Sequence, residues 1–130
     1  MHTEYVGPWI CQCGIRLIIP VPLHPSRKRK RGYNQAEWIA KGISDVLHIP
    51  VDTHTLYRVR RTKPQKKLND IERKQNLQGA FSVKCALPPN ACILLVDDIY
   101  TTGSTVDEAA RCLQAAGECK VYVAAVAIGG

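Results

Sequence analysis

No apolar run in this 130-residue chain is long enough to span a bilayer, and no charged segment followed by an apolar core opens it like a secretory signal. Membrane insertion is therefore not expected, and the sequence predicts a soluble, cytoplasmic protein. Internal repeats and linkers are also missing, so residues 1–130 read as one domain, large enough for a sizeable core. No C-x-x-C spacing occurs. Cys11-x-Cys13 is the one close cysteine pair, whereas Cys85, Cys92, Cys112 and Cys119 are scattered among apolar segments. That scatter argues against zinc or a disulfide framework and for reduced thiols packed in the core. Aromatic residues make up only 6% of the chain, and among its tyrosines just Tyr33, Tyr57 and Tyr100 are set against the basic stretch. A single-strand nucleic-acid binder stacks bases on rings, so this supply is thin.

Positive charge is abundant and unevenly placed. The net charge is +7, and residues 27–74 hold 14 of the 18 lysines and arginines against 5 of the 11 acids, making that span +9 and the remainder −2. Such a basic half implies a polyanionic partner: a pyrophosphate, a nucleic acid, or both. Its densest part is Arg27-Lys28-Arg29-Lys30-Arg31, five cations that repel one another. The run reads equally as a solvated loop and as a clamp that orders on an anion.

Taken in order, Met1–Gly14 carries no clear signal. Ile15–Val21 predicts a short strand limited by Pro20 and Pro22, and Leu23 and His24 lie in the turn beyond it. Asn34 is a good N-cap, with Glu37 three residues later as in a capping box. The helix it opens carries an apolar stripe of Trp38, Ile39, Ile43, Val46 and Leu47, and Pro50 ends it. His48 and His54 read as surface or capping residues. Val51–Val59 predicts one or two strand segments, Asn69–Asn76 a short helix, and Ala80–Val83 a strand. The basic span Arg60–Gln78 is too long for an ordinary connection and predicts a flexible lid. Cys119–Ile128 is apolar enough for a buried strand. This order of elements favours an α/β fold, a mostly parallel sheet flanked by helices. In such sheets ligands bind outside the carboxyl ends of the strands.

One stretch organises the rest. Ile93-Leu94-Leu95-Val96 reads as a strand buried on both faces, stopping at the adjacent carboxylates of Asp97 and Asp98. Two charges cannot stay unpaired in a core, so the strand's end must open into a crevice or onto a ligand. Thr101-Thr102-Gly103-Ser104-Thr105 follows, and then a helical stripe of Val106, Ala109, Ala110, Leu113 and Ala116 closed by Gly117. Hydroxyls and main-chain N–H groups at a helix N-terminus suit a phosphate monoester, and Gly103 permits close backbone approach. The carboxylates suit ribose hydroxyls or a divalent cation.

This stretch resembles the 5-phosphoribosyl-1-pyrophosphate (PRPP) motif of type I phosphoribosyltransferases: four apolar residues, two acids, two more apolar residues, then Thr-Thr-Gly-x-Thr. Together with Pro20–Pro25, Arg31–Gln35, Thr62–Gln65, Arg73 and Asn76–Phe81, it is similar to the ComF group of competence-associated proteins across nearly all of residues 17–127. Members of that group usually begin with a four-cysteine zinc module, which this chain lacks. The resemblance implies a type I phosphoribosyltransferase-like fold and an activity transferring or binding a 5-phosphoribosyl group from PRPP, with Mg²⁺ as cofactor. It makes Asp97, Asp98 and Thr101 the catalytic residues, with the two aspartates near Mg²⁺. Thr101, Thr102, Gly103, Ser104 and Thr105 would hold the 5-phosphate, and Leu23, His24, Arg31, Lys67 and Arg73 would meet the pyrophosphate. Purine-using relatives often carry an acid where Thr101 stands, which points away from that substrate class. The alternative is a non-catalytic module that binds single-stranded DNA or a competence partner and keeps the PRPP site as a vestige or regulator. A homo-oligomer is compatible with either.

Overall fold

A computed structural model describes residues 2–3, 14–23, 34–60, 68–85, 87–100 and 103–128. Within them the chain runs β1 (His2–Thr3), β2 (Leu17–Pro20), α1 (Gln35–Leu47), β3 (Leu56–Arg58), α2 (Asp70–Leu77), β4 (Phe81–Val83), β5 (Ala91–Tyr100), α3 (Ser104–Ala116) and β6 (Cys119–Ile128). Four strands form a parallel sheet in the order β1-β6-β5-β2, as an α/β fold requires. Of the strand segments predicted at 51–59 and 80–83, only Val51 touches this sheet, through an isolated parallel bridge to Ile18. β3 and β4 instead make a separate antiparallel ribbon, with Leu56 opposite Val83 and Arg58 opposite Phe81.

β5 is the central strand, and its alternation divides the core. Ile93 and Leu95 face one layer with Ile19, Leu56, Phe81, Val106, Ala109 and Leu113, so α3 and the ribbon cover that side. Leu94 and Val96 face the other with Ile18, Ala40 and Ile49, beneath α1. Both faces being covered explains why the strand reads as unbroken aliphatics. Each such fully buried side chain contributes roughly 1.5–3 kcal/mol of transfer free energy. β2 lies at the edge, paired Leu17 to Ile93 through Pro20 to Val96. At that edge the missing N–H of Pro20 costs little. Beyond it, Ile18 is bonded to the segment after α1, donating to Pro50 O at 2.9 Å and accepting from Asp52 N at 2.9 Å.

The helix ends follow their residues. Asn34 caps α1 by accepting the Ala36 N–H at 3.0 Å, and Asn69 caps α2 in a full capping box with Glu72. α1 stops at His48, whose backbone is left-handed (φ 58), before Pro50 is reached. Its buried stripe differs from expectation. The small Ala36 and Ala40 lie against the sheet with Ile39, Ile43 and Leu47 partly buried, while Trp38 and Val46 are on the outer surface. Small residues at the contact let the helix sit close, and the helical period then carries Trp38 to the opposite side.

Three further differences are local. β5 does not stop at the acidic pair; its ladder with β6 runs on to Tyr100 opposite Ile128. Gly117 ends α3 in extended rather than left-handed backbone (φ 174). Cys92, Cys112 and Cys119 pack against the core as expected, but Cys85 is exposed in the turn after β4. No helix among the described residues is long and apolar enough to cross a membrane.

Candidate functional site

The carboxyl ends of β2 and β5 lie side by side, because Val21 N–H donates to Val96 O at 2.8 Å. Asn34 Nδ2 donates to Val21 O at 3.1 Å, fastening the start of α1 to the end of β2. Leu23, half-buried, follows directly. The turn after β2 thus leaves the sheet next to Asp97, as the crevice rule for parallel sheets requires.

Asp97 and Asp98 are both half-buried. The Asp98 N–H donates to Asp97 Oδ1 at 2.9 Å, which folds the first carboxylate back over its own strand. By alternation Asp97 continues the Ile93–Leu95 face, toward the ribbon. Burial, reinforced by Asp98 alongside, pushes the Asp97 carboxyl up to about 7; the charge of Arg58 pulls it partly back. Arg58 is a residue that sequence reasoning passed over. It is buried in β3, with its guanidinium stacked 4.8 Å from the centre of the Phe81 ring. A signal was present: Arg58 follows buried Leu56 by two residues, so it shares that inward face.

α3 begins immediately beyond the strand. Its N-cap is Gly103, buried and left-handed at φ 83, and no side chain caps it, in contrast to the asparagines on α1 and α2. The N–H groups of the first turn, at Ser104 and Thr105, have no intrahelical acceptors by construction and carry the positive end of the helix dipole. That end can receive an anion. A groove of about 650 Å³ runs between α2 and the first turns of α3, lined in part by Lys74, Gln78, Asp107 and Glu108. Glu108 spans it, accepting from Gly79 N and pairing with Arg111.

Of the twelve expected site residues, Asp97, Asp98, Gly103, Ser104 and Thr105 occupy one strand end and the helix start that follows it. Leu23 borders them. Arg73 lies on α2, where it pairs with Asp70 at 3.7 Å. His24, Arg31, Lys67, Thr101 and Thr102 lie outside the described residues, as does the Arg27–Arg31 run. No group of three or more His, Cys, Asp or Glu side chains among the described residues is arranged to hold a metal ion by itself.

No family profile matches the chain. It is similar to curated proteins over most of its length. It is 40% identical over 108 residues to competence protein F of Haemophilus influenzae, covering 82% of this chain and 47% of that protein. The DNA utilization protein YhgH of Escherichia coli K12 is 37% identical over 106 residues, covering 82% and 46%. Competence protein ComFC of Bacillus subtilis is 35% identical over 102 residues, covering 78% and 40%. The chain thus spans about half the length, or somewhat less, of the relatives it matches. Shared identity of this order across about four-fifths of the chain makes it a member of the ComF family.

Proposed function

We propose that the crevice at the ends of β2 and β5 binds PRPP with Mg²⁺ and serves a phosphoribosyltransferase-type reaction, within the competence and DNA-utilization role that the relatives' names carry. The observation supporting this most directly is the conjunction at β5. A half-buried acidic pair lies near the end of the central parallel strand, and a glycine-led helix start without a side-chain cap from its N-cap residue follows it. Neither a core nor an ordinary capped helix needs consecutive aspartates there.

In this reading Asp97 and Asp98 accept hydrogen bonds from the ribose 2- and 3-hydroxyls, and the N–H groups of Ser104 and Thr105 hold the 5-phosphate. The donor set fits Mg²⁺. Two hard carboxylates are few for an all-protein cage but suit an ion that keeps water and substrate phosphates as its other ligands. Bound there, Mg²⁺ would supply charge stabilisation for a departing pyrophosphate. Arg58, buried in β3, favours the charged form of Asp97 through its own charge. Calorimetric titration of PRPP with Mg²⁺ and with EDTA tests the site. Saturable, Mg²⁺-dependent binding that Asp97→Ala/Asp98→Ala removes is expected, and heat-silent mixing in both buffers refutes it.

A second reading, binding of single-stranded DNA, is favoured by the +9 charge of residues 27–74 and by the relatives' association with DNA utilization. Neutralising Arg27–Arg31 then weakens DNA binding and flattens its salt dependence. Association that ignores salt removes this reading.

A further inference from the structure

On the outward face of α1 stand Trp38, 70% exposed, Gly42, and Val46, 75% exposed. Four residues apart, they form one stripe along the helix. Lys41 and Asp45 flank it on one side. Both are exposed, and neither has an ion-pair partner among the described residues. Gly42 is the midpoint. A Cβ placed on it meets no atom of the described residues within 4 Å, so none of them needs its smallness. Its backbone is ordinary helix, yet glycine is among the weakest helix formers.

We propose that this face is the interface of a two-fold homodimer, in which α1 crosses a second copy of itself antiparallel at Gly42. A helix face that serves both sides of a two-fold must complement itself, and this one does. With Gly42 on the axis, Trp38 stands level with the partner's Val46, and Val46 with the partner's Trp38. Lys41 and the partner's Asp45 fall on the same side within about one turn of helix, and the converse pair follows by symmetry. Glycine at the crossing lets the two backbones approach at the short end of the usual helix separation, about 8 Å. A parallel two-fold would put the Lys41–Asp45 sides of the two helices on opposite sides of the crossing, where they cannot pair, so the charges select the antiparallel one. A 13-residue helix is about 20 Å long and covers less than a standard interface. The dimer therefore forms at protein concentrations on the order of micromolar, not nanomolar.

Sedimentation of the full chain across a concentration series tests this, together with three variants. The wild type is expected to pass from monomer to dimer as concentration rises. Lys41→Asp should remain monomeric, and Lys41→Asp/Asp45→Lys should regain the dimer. Gly42→Cys, which the open space around Gly42 accommodates, should give a covalent dimer under mild oxidation beyond the background of the parent's own thiols. A wild type that stays monomeric throughout overturns the proposal. So does a dimer that Lys41→Asp leaves unchanged and Gly42→Cys fails to cross-link.

Discussion

Raising the pH from about 4 to about 7 is expected to weaken the native state, and the Asp97 carboxyl is the cause. Its proton affinity is higher folded than unfolded, with the ordinary value of 3.8 pushed up to about 7, chiefly by burial. The folded state therefore binds the proton more tightly. The stabilisation is full below about pH 4 and is lost as pH climbs through 7, where the carboxylate must ionise in a half-buried place. At about 1.4 kcal/mol per tenfold in proton affinity, the difference amounts to at most about 4 kcal/mol. Asp97→Asn keeps the shape and removes the charge. Its urea midpoint, followed by circular dichroism from pH 4.5 to 8, should lack the component that wild type loses. At pH 8 the variant should be the more stable of the two while failing to bind PRPP, a trade of stability against function. Parallel midpoints across the range, or a variant less stable than wild type at pH 8, would refute the reasoning.

The helix ends offer two further checks. Asn69→Ala removes the side-chain acceptor of the Glu72 N–H, leaving only the backbone half of the α2 capping box, and should cost about 1 kcal/mol in chemical denaturation, with earlier proteolysis near residues 69–77. Gly103→Ala forces a Cβ into left-handed backbone at φ 83 and should cost about 1–2 kcal/mol. The same variant should weaken PRPP binding in calorimetry; undiminished affinity would move the phosphate contact away from this turn.

How much of this could be read from the sequence follows from how local each cause is. Asn34, Asn69 and the aliphatic run at Ile93–Val96 act within a few residues, and the elements they imply were legible. The placement of Trp38 was not, because the period of α1 fits more than one stripe and the sheet chose the one headed by Ala36 and Ala40. The continuation of β5 through Asp97 was also hidden. Carboxylates end a strand by local rule, but the β6 ladder, supplied from the far side of α3, carries the backbone past them. Arg58 belongs to the site only through the pairing of β3 with β4, a contact between distant segments. The family motif brought the acidic pair and the glycine-led helix start into view; the tertiary fold adds a buried cation whose charge acts on Asp97.

The register of the parallel sheet also sets when the site comes into being. Residues 17–20 pair with 93–96, and residues 2–3 with Tyr122 and Val123, so strands early in the chain find their neighbours only near its end. Non-local pairings of this kind pay loop closure before contact, which slows folding. On the ribosome, β2 would have to wait for β5, and β5 for β6, before either could be covered. The aspartates are then set only once β6, more than twenty residues further along, has been made and has paired with β5.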